Sequence, residues 1–127
     1  MNSLINCSQV IVKQTATKGF GAFAGRNFFE NELIENGLMK RVTTDGHNNP
    51  FLFTWSENKD VWAYSSGCAT FYNTSLDPNC KVIRYYDQDR FEIYALHNIN
   101  DGDELTHTYQ SLQWRECFKD LYNNIKK

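Results

Sequence analysis

Apolar positions in this chain come in short stretches separated by polar turns, and several stretches carry the period of two that marks half-buried strands. Val10-Ile11-Val12, flanked by Gln9 and Lys13, predicts a first strand, residues 15–19 a turn, and Phe20-Gly21-Ala22-Phe23-Ala24 a second strand. Phe20 and Phe23 cannot share a strand face, which predicts an irregularity near Gly21. Residues 27–32 read as a turn, and residues 33–42 as an extended segment in which Asn36-Gly37 predicts a tight turn or bulge. The polar run 43–50, with Asp45-Gly46 and Pro50, is a loop. Residues 51–55 and 61–64 predict short strands around a turn at 56–60. The clearest hairpin has arms 80–86 and 90–96, with Phe91, Ile93 and Ala95 alternating onto one face of the second arm. Residues 98–103 are a turn, and Leu105 begins a further strand. Helical spacing appears only at 112–125, where Leu112, Cys117, Leu121 and Ile125 make a stripe and Lys126-Lys127 suits the negative helix end. Strands that do not alternate with helices argue against a doubly wound parallel sheet. The expectation is a mostly-β domain of several small sheets with a C-terminal helix.

Length and composition narrow this to one domain of 127 residues, without repeat or linker, large enough to bury a core without staples. Thirteen basic against 15 acidic residues leave a formal charge of −2, so no bulk electrostatic footprint points to direct nucleic-acid binding. No apolar run is long enough for a membrane helix, and the first residues carry no basic, then apolar, leader pattern. Cys7, Cys68, Cys80 and Cys117 are scattered and form no C-x-x-C pair, which reads as reduced, mostly buried thiols in a soluble intracellular protein, with no metal site. The unusual feature is aromatic content, 9 Phe, 7 Tyr and 3 Trp, and the question it raises is whether all those rings are core.

Three stretches carry candidate chemistry. Lys18-Gly19-Phe20-Gly21 opens a strand and not a helix, so a dinucleotide site is excluded. What remains is either close approach of backbone to a ligand or a hairpin needing positive φ. Phe71-Tyr72-Asn73-Thr74-Ser75-Leu76-Asp77-Pro78-Asn79-Cys80 runs from rings into a dense polar cluster, where Asn73 and Asn79 can satisfy buried backbone in place of ladder bonds. Its Asn73-Thr74-Ser75 also matches a glycosylation sequon, read as accidental without a secretory signal. The third stretch is Asp103-Glu104-Leu105-Thr106-His107-Thr108-Tyr109 after Asp101-Gly102; Asp101, Asp103 and Glu104 read as a polar turn.

In this order and separation the three stretches resemble the SET-domain protein lysine methyltransferases over residues 9–115, within a single domain spanning 1–127 whose last residues, 116–127, belong to the terminal helix. Gly19-Phe20-Gly21 is similar to the family's Gly-x-Gly strand. Residues 73–80 are similar to its Asn-His-Ser-x-x-Pro-Asn-Cys segment, and 102–109 to its Gly-(Asp or Glu)-Glu-Leu-Thr-x-x-Tyr segment. In size the chain is most similar to the compact viral and bacterial SET enzymes. The resemblance implies a SET fold in which residues 73–79 thread beneath 105–109 as a pseudoknot. It implies S-adenosylmethionine as cofactor, held by the backbone of Lys18, Gly19, Phe20 and Gly21, by Asn73, Thr74 and Tyr109, and by Trp114. It implies Tyr109 as the active-site tyrosine of a lysine channel walled by Phe51, Tyr72 and His107, with no metal.

The implied chemistry suits those residue types. Methyl transfer is an in-line displacement, so alignment dominates. The lysine amine must be neutral, which at pH 7 costs roughly 4.6 kcal/mol from a reference pKa near 10.4. An aromatic channel lowers that cost by desolvation. The implied substrate is a basic, lysine-bearing segment, a histone tail among the candidates; because compact members include dimers, a homodimer is one expected assembly. Three departures stand out: Thr74 where the family has His, His107 two residues before the tyrosine where it has Phe or Tyr, and Gln110 where it has Gly. A polar ring at His107 is expected to limit the product to mono- or dimethyl-lysine, or else is a packed histidine. The alternative reading of the whole is a SET-fold peptide-binding module without turnover.

Overall fold

A computed structural model describes residues 3–109 and 118–125. Nine strands are present among them: β1 (Val10–Gln14), β2 (Phe20–Ala24), β3 (Leu33–Val42), β4 (Phe53–Thr54), β5 (Trp62–Ser65), β6 (Asn73–Thr74), β7 (Cys80–Tyr85), β8 (Arg90–Ala95) and β9 (Glu104–His107). Short 3-10 turns span Ala69–Phe71 and Tyr86–Gln88, and one helix, α1, spans Lys119–Ile125. The expected helix start, with Trp114 and Cys117, lies outside the described residues. A four-stranded sheet has order β1-β2-β9-β6 and a five-stranded sheet has order β4-β5-β3-β8-β7. All pairings are antiparallel except β6 with β9, where Asn73 faces Thr106 and Thr74 faces His107.

The hairpin β7–β8 keeps continuous register from Cys80–Ala95 to Tyr85–Arg90. Phe91, Ile93 and Ala95 are all buried, as their alternation predicts. Two other expectations change. The Phe20/Phe23 pair causes no irregularity: β2 pairs regularly with β1 along its full length. Ala22 and Ala24 fill the core face, Phe23 packs on the other face beneath Lys13 (4.4 Å, a cation–π contact), and Phe20 projects at the strand end. In β3 the break in register falls between Leu33 and Glu35, not at Asn36-Gly37. Gly37 is needed for another reason. It lies opposite Phe91, and a Cβ there would sit 2.6 Å from the Phe91 ring and from Ser66 Oγ.

Both sheets contribute to one apolar cluster in which Phe28, Trp55, Tyr72, Phe91, Ile93, Ile99 and Leu105 are essentially fully buried. Each such side chain contributes about 1.5–3 kcal/mol. Many of the rings are therefore core.

Candidate functional site

The site is built where β6 crosses to β9. Asn79, beyond β6, uses its side chain as a substitute strand: Nδ2 donates to Glu104 O (2.8 Å) and Oδ1 accepts from Thr106 N (2.9 Å). Ser75 N donates to His107 O, and Thr108 Oγ1 donates to Ser75 O. Segment 73–79 is thus stitched along β9. Alternation along β9 then separates two chemical environments, Glu104 and Thr106 on one face, Leu105 and His107 on the other.

On the first face charged and polar groups converge on the turn into β2. Asn73 Nδ2 donates to Phe20 O (3.2 Å) and to Glu104 Oε2 (2.8 Å), while Lys18 Nζ donates to Glu104 Oε1 (2.5 Å). Gly19 has φ +74°, outside the range most side chains tolerate. A Cβ on Gly21 would sit 2.8 Å from Thr15 Cγ2 and 3.0 Å from Glu104 Oε2, so the strand can approach the cluster only as glycine. Glu104, expected in a polar turn, is instead in β9 at the centre of this cluster. The acidic run masked its alternation with Thr106, which was the available signal.

On the second face rings line a narrow cavity of about 30 Å3, open to solvent at its mouth. Centroid separations are 6.2 Å for Tyr72–His107, 5.2 Å for His107–Tyr109 and 4.9 Å for Tyr109–Phe118. Tyr109 is fixed at both ends: its N–H donates to Thr74 Oγ1 (3.0 Å) and its hydroxyl to Tyr72 O (2.9 Å). Thr74, one of the departures, therefore holds Tyr109 through its side chain. Tyr72 in turn donates its hydroxyl to Glu35 Oε1 (2.9 Å).

Electrostatics follow burial. The His107 imidazole is buried, and its pKa falls to about 4, mainly by desolvation and then by the Arg84 guanidinium. It is neutral at physiological pH. Burial, with the Glu104 carboxylate second, raises the Tyr109 phenol to about 12, so it stays a hydrogen-bond donor. Glu35 is lifted to about 7 by burial, against the hydrogen bonds from Cys68 N and Tyr72.

Lys18, Gly19, Phe20, Gly21 and Asn73 are thus brought together on one face and Tyr72, Thr74, His107 and Tyr109 on the other. Phe20 is largely exposed, its ring meeting Phe71 edge-on at 6.4 Å. Phe51 is 61% exposed and off the cavity lining, where its neighbours Leu52 and Phe53 stand instead. Trp114 and Gln110 lie outside the described residues. Arg84 and Phe118 also line the cavity, and neither carried a sequence signal.

A polar cradle and an aromatic cavity, meeting at a parallel two-residue crossing, define a domain class that the comparisons name. The SET domain profile matches residues 19–110, and the chain belongs to the SET-domain family. It is 30% identical over 112 residues to an H3 lysine-4 specific histone-lysine N-methyltransferase of Emericella nidulans, covering 76% of this chain and 9% of that protein. It is 38% identical over 74 residues to the Saccharomyces cerevisiae protein of the same description, covering 56% and 7%. The chain thus spans less than a tenth of these relatives. Among solved structures, a Plasmodium falciparum candidate histone methyltransferase superposes with TM-score 0.64 at 21% identity, covering 80% of this chain and 96% of that one. An engineered Polycomb Repressive Complex 2 from Chaetomium thermophilum gives TM-score 0.66 at 23% identity, covering 80% and 15%. These two show a shared fold.

Proposed function

We propose that this SET domain is an S-adenosylmethionine-dependent protein lysine methyltransferase acting on a basic, lysine-bearing segment, with histone tails the first class to try. The carrying observation is the adjacency across β9 of the Lys18–Glu104–Asn73 cluster and the cavity of Tyr72, His107 and Tyr109.

The first face fits the amino-acid end of the cofactor in charge and in shape. Lys18 suits a carboxylate, Glu104 and the Phe20 carbonyl suit an ammonium, and the glycines leave their backbone bare. The Lys18–Glu104 pair is the form the two side chains take with each other, ready to exchange for an amino acid's opposite charges. When bound, S-adenosylmethionine supplies an electrophilic methyl group on a sulfonium. The chain's residues do the rest. The apolar walls of Leu52, Phe53 and Phe118 desolvate the incoming amine and favour its neutral form. Neutral His107 adds no opposing charge. Tyr109, pinned through Thr74 and the Tyr72 carbonyl, presents a fixed ring and a dipole of known direction beside the amine's path. The relatives' descriptions name histone H3 lysine-4, which makes H3 peptides the natural substrates to test and the nucleus the expected place of work.

Transfer of labelled methyl groups from S-adenosylmethionine to histones and basic peptides tests the reading. Wild type is expected to label substrate, and Tyr109→Phe to lose at least about 10²-fold in rate while binding cofactor in calorimetry. Cofactor binding with equal, background labelling by both proteins would leave a peptide-binding module in its place.

A further inference from the structure

Away from the cavity, three separate segments bring sulfur and carboxylate ligands together. Asn6 and Asn36 exchange backbone hydrogen bonds (2.8 and 3.1 Å), which sets Cys7 opposite Glu35 of β3. Beyond β5, Ser66 N donates to Leu38 O, and Gly67, at φ +65°, turns the chain to deliver Cys68. The Cys68 amide donates to Glu35 Oε2 at 2.9 Å. Ligand atoms of Cys7, Glu35 and Cys68 all lie within 4.8 Å of one another. The packing there is tight: a Cβ on Gly67 would fall 2.5 Å from Glu35 Oε2 and 3.4 Å from Cys7 Sγ.

The cluster has negative or potentially negative groups and, among the described residues, no cation paired with Glu35, which is only 1% exposed. A buried carboxylate without a counter-charge must bind a proton or a cation. Two thiolates and a carboxylate are a donor set for zinc-type ions, with a fourth tetrahedral position left to water. The outer contacts such a site needs are in place: both carboxylate oxygens already accept hydrogen bonds, from Tyr72 Oη and from the Cys68 amide, with lone pairs to spare.

We propose that Cys7, Glu35 and Cys68 form a binding site for a thiophilic divalent cation of the zinc type, tying the N-terminal segment to β3 and the loop after β5. Binding releases the thiol protons to solvent as the metal–sulfur bonds form. The site stands independently of methyl transfer, yet it is linked to the cavity through Glu35, Tyr72 and the Tyr72 carbonyl that holds Tyr109.

The test is titration of the reduced, metal-free full chain with Co2+, followed by displacement with Zn2+. One equivalent is expected to bind with a near-ultraviolet thiolate-to-cobalt charge-transfer band. Cys7→Ser, at a half-buried position in the N-terminal segment, should weaken binding at least about tenfold and diminish that band. Cys68→Ser should do the same, with circular dichroism checking its fold. Cys80→Ser and Cys117→Ser should bind as wild type does. Zn2+ should raise the melting temperature of wild type and not of Cys7→Ser. No thiolate band in wild type, a band undiminished in Cys7→Ser, or a band lost only with Cys80 or Cys117 would overturn the proposal.

Discussion

His107 is a residue whose burial bears on stability and, under the proposed methyl transfer, on the product. Its folded pKa of about 4 lies below the ordinary 6.5, so between these values the unfolded chain binds the proton and the folded chain does not. Stability from this residue is complete above pH 6.5 and is lost as pH falls toward 4, by roughly 3 kcal/mol at most. Glu35, raised to about 7, runs the opposite way between 4.5 and 7, so the wild-type curve alone is composite. The difference between wild type and His107→Phe in urea unfolding isolates the histidine: that difference should change steeply between pH 6.5 and 4 and flatten above. A flat difference over the whole range would show an imidazole that titrates normally. The same substitution removes the polar ring from beside Tyr109; under the proposed methyl transfer, with a product expected to stop at mono- or dimethyl-lysine, it should shift product toward trimethyl-lysine, read by mass spectrometry of a methylated peptide. The identity of position 107 was legible in the sequence. Its neutrality was not, because that depends on burial and on Arg84, a neighbour in space contributed by β7.

At the scale of elements the crossing of β6 and β9 has the most to carry. β6 is only two residues long, so the pairing depends on Asn79, whose amide serves one donor and one acceptor of β9. Asn79→Asp keeps size and shape but sets a carboxylate oxygen against the Glu104 carbonyl. A cost of about 1–3 kcal/mol is expected in denaturant unfolding, smaller at low pH where the new carboxyl is protonated. A wild-type-minus-variant stability difference near zero at pH 8, where the new carboxyl is ionised, would argue that the side-chain bridge contributes little. Asn79 was recognisable beforehand as a backbone-satisfying residue, and the strands of the β7–β8 hairpin were readable from alternation alone. The bulge in β3 was not. Asn36-Gly37 looks like a turn locally, but the pressure on Gly37 comes from Phe91 across the sheet and from Ser66 beyond β5.

For the whole molecule, one cluster joins both sheets, so damage to either should unfold the domain as a unit. Ile93→Ala, at a fully buried position of β8, should cost about 2–5 kcal/mol, a large part of the total stability of a domain this size. Urea unfolding should show a lower midpoint with an unchanged slope; a second transition would reveal sheets that melt separately. The sequence by itself determined the strand-rich class, the inward face of β8, and the motif residues around Gly19, Asn73 and Tyr109, because alternation and turn chemistry are local properties. Only the tertiary structure decided that Glu104 leaves its acidic run to meet Lys18 and Asn73, and that Phe53, not Phe51, reaches the cavity. It also decided that the side chains of Cys7, Glu35 and Cys68 meet in one cluster. Those relations join positions up to 86 residues apart. They are set by which side chains the two sheets and the β6–β9 crossing enclose together, and desolvation, the force that tunes the site, exists only once they are enclosed.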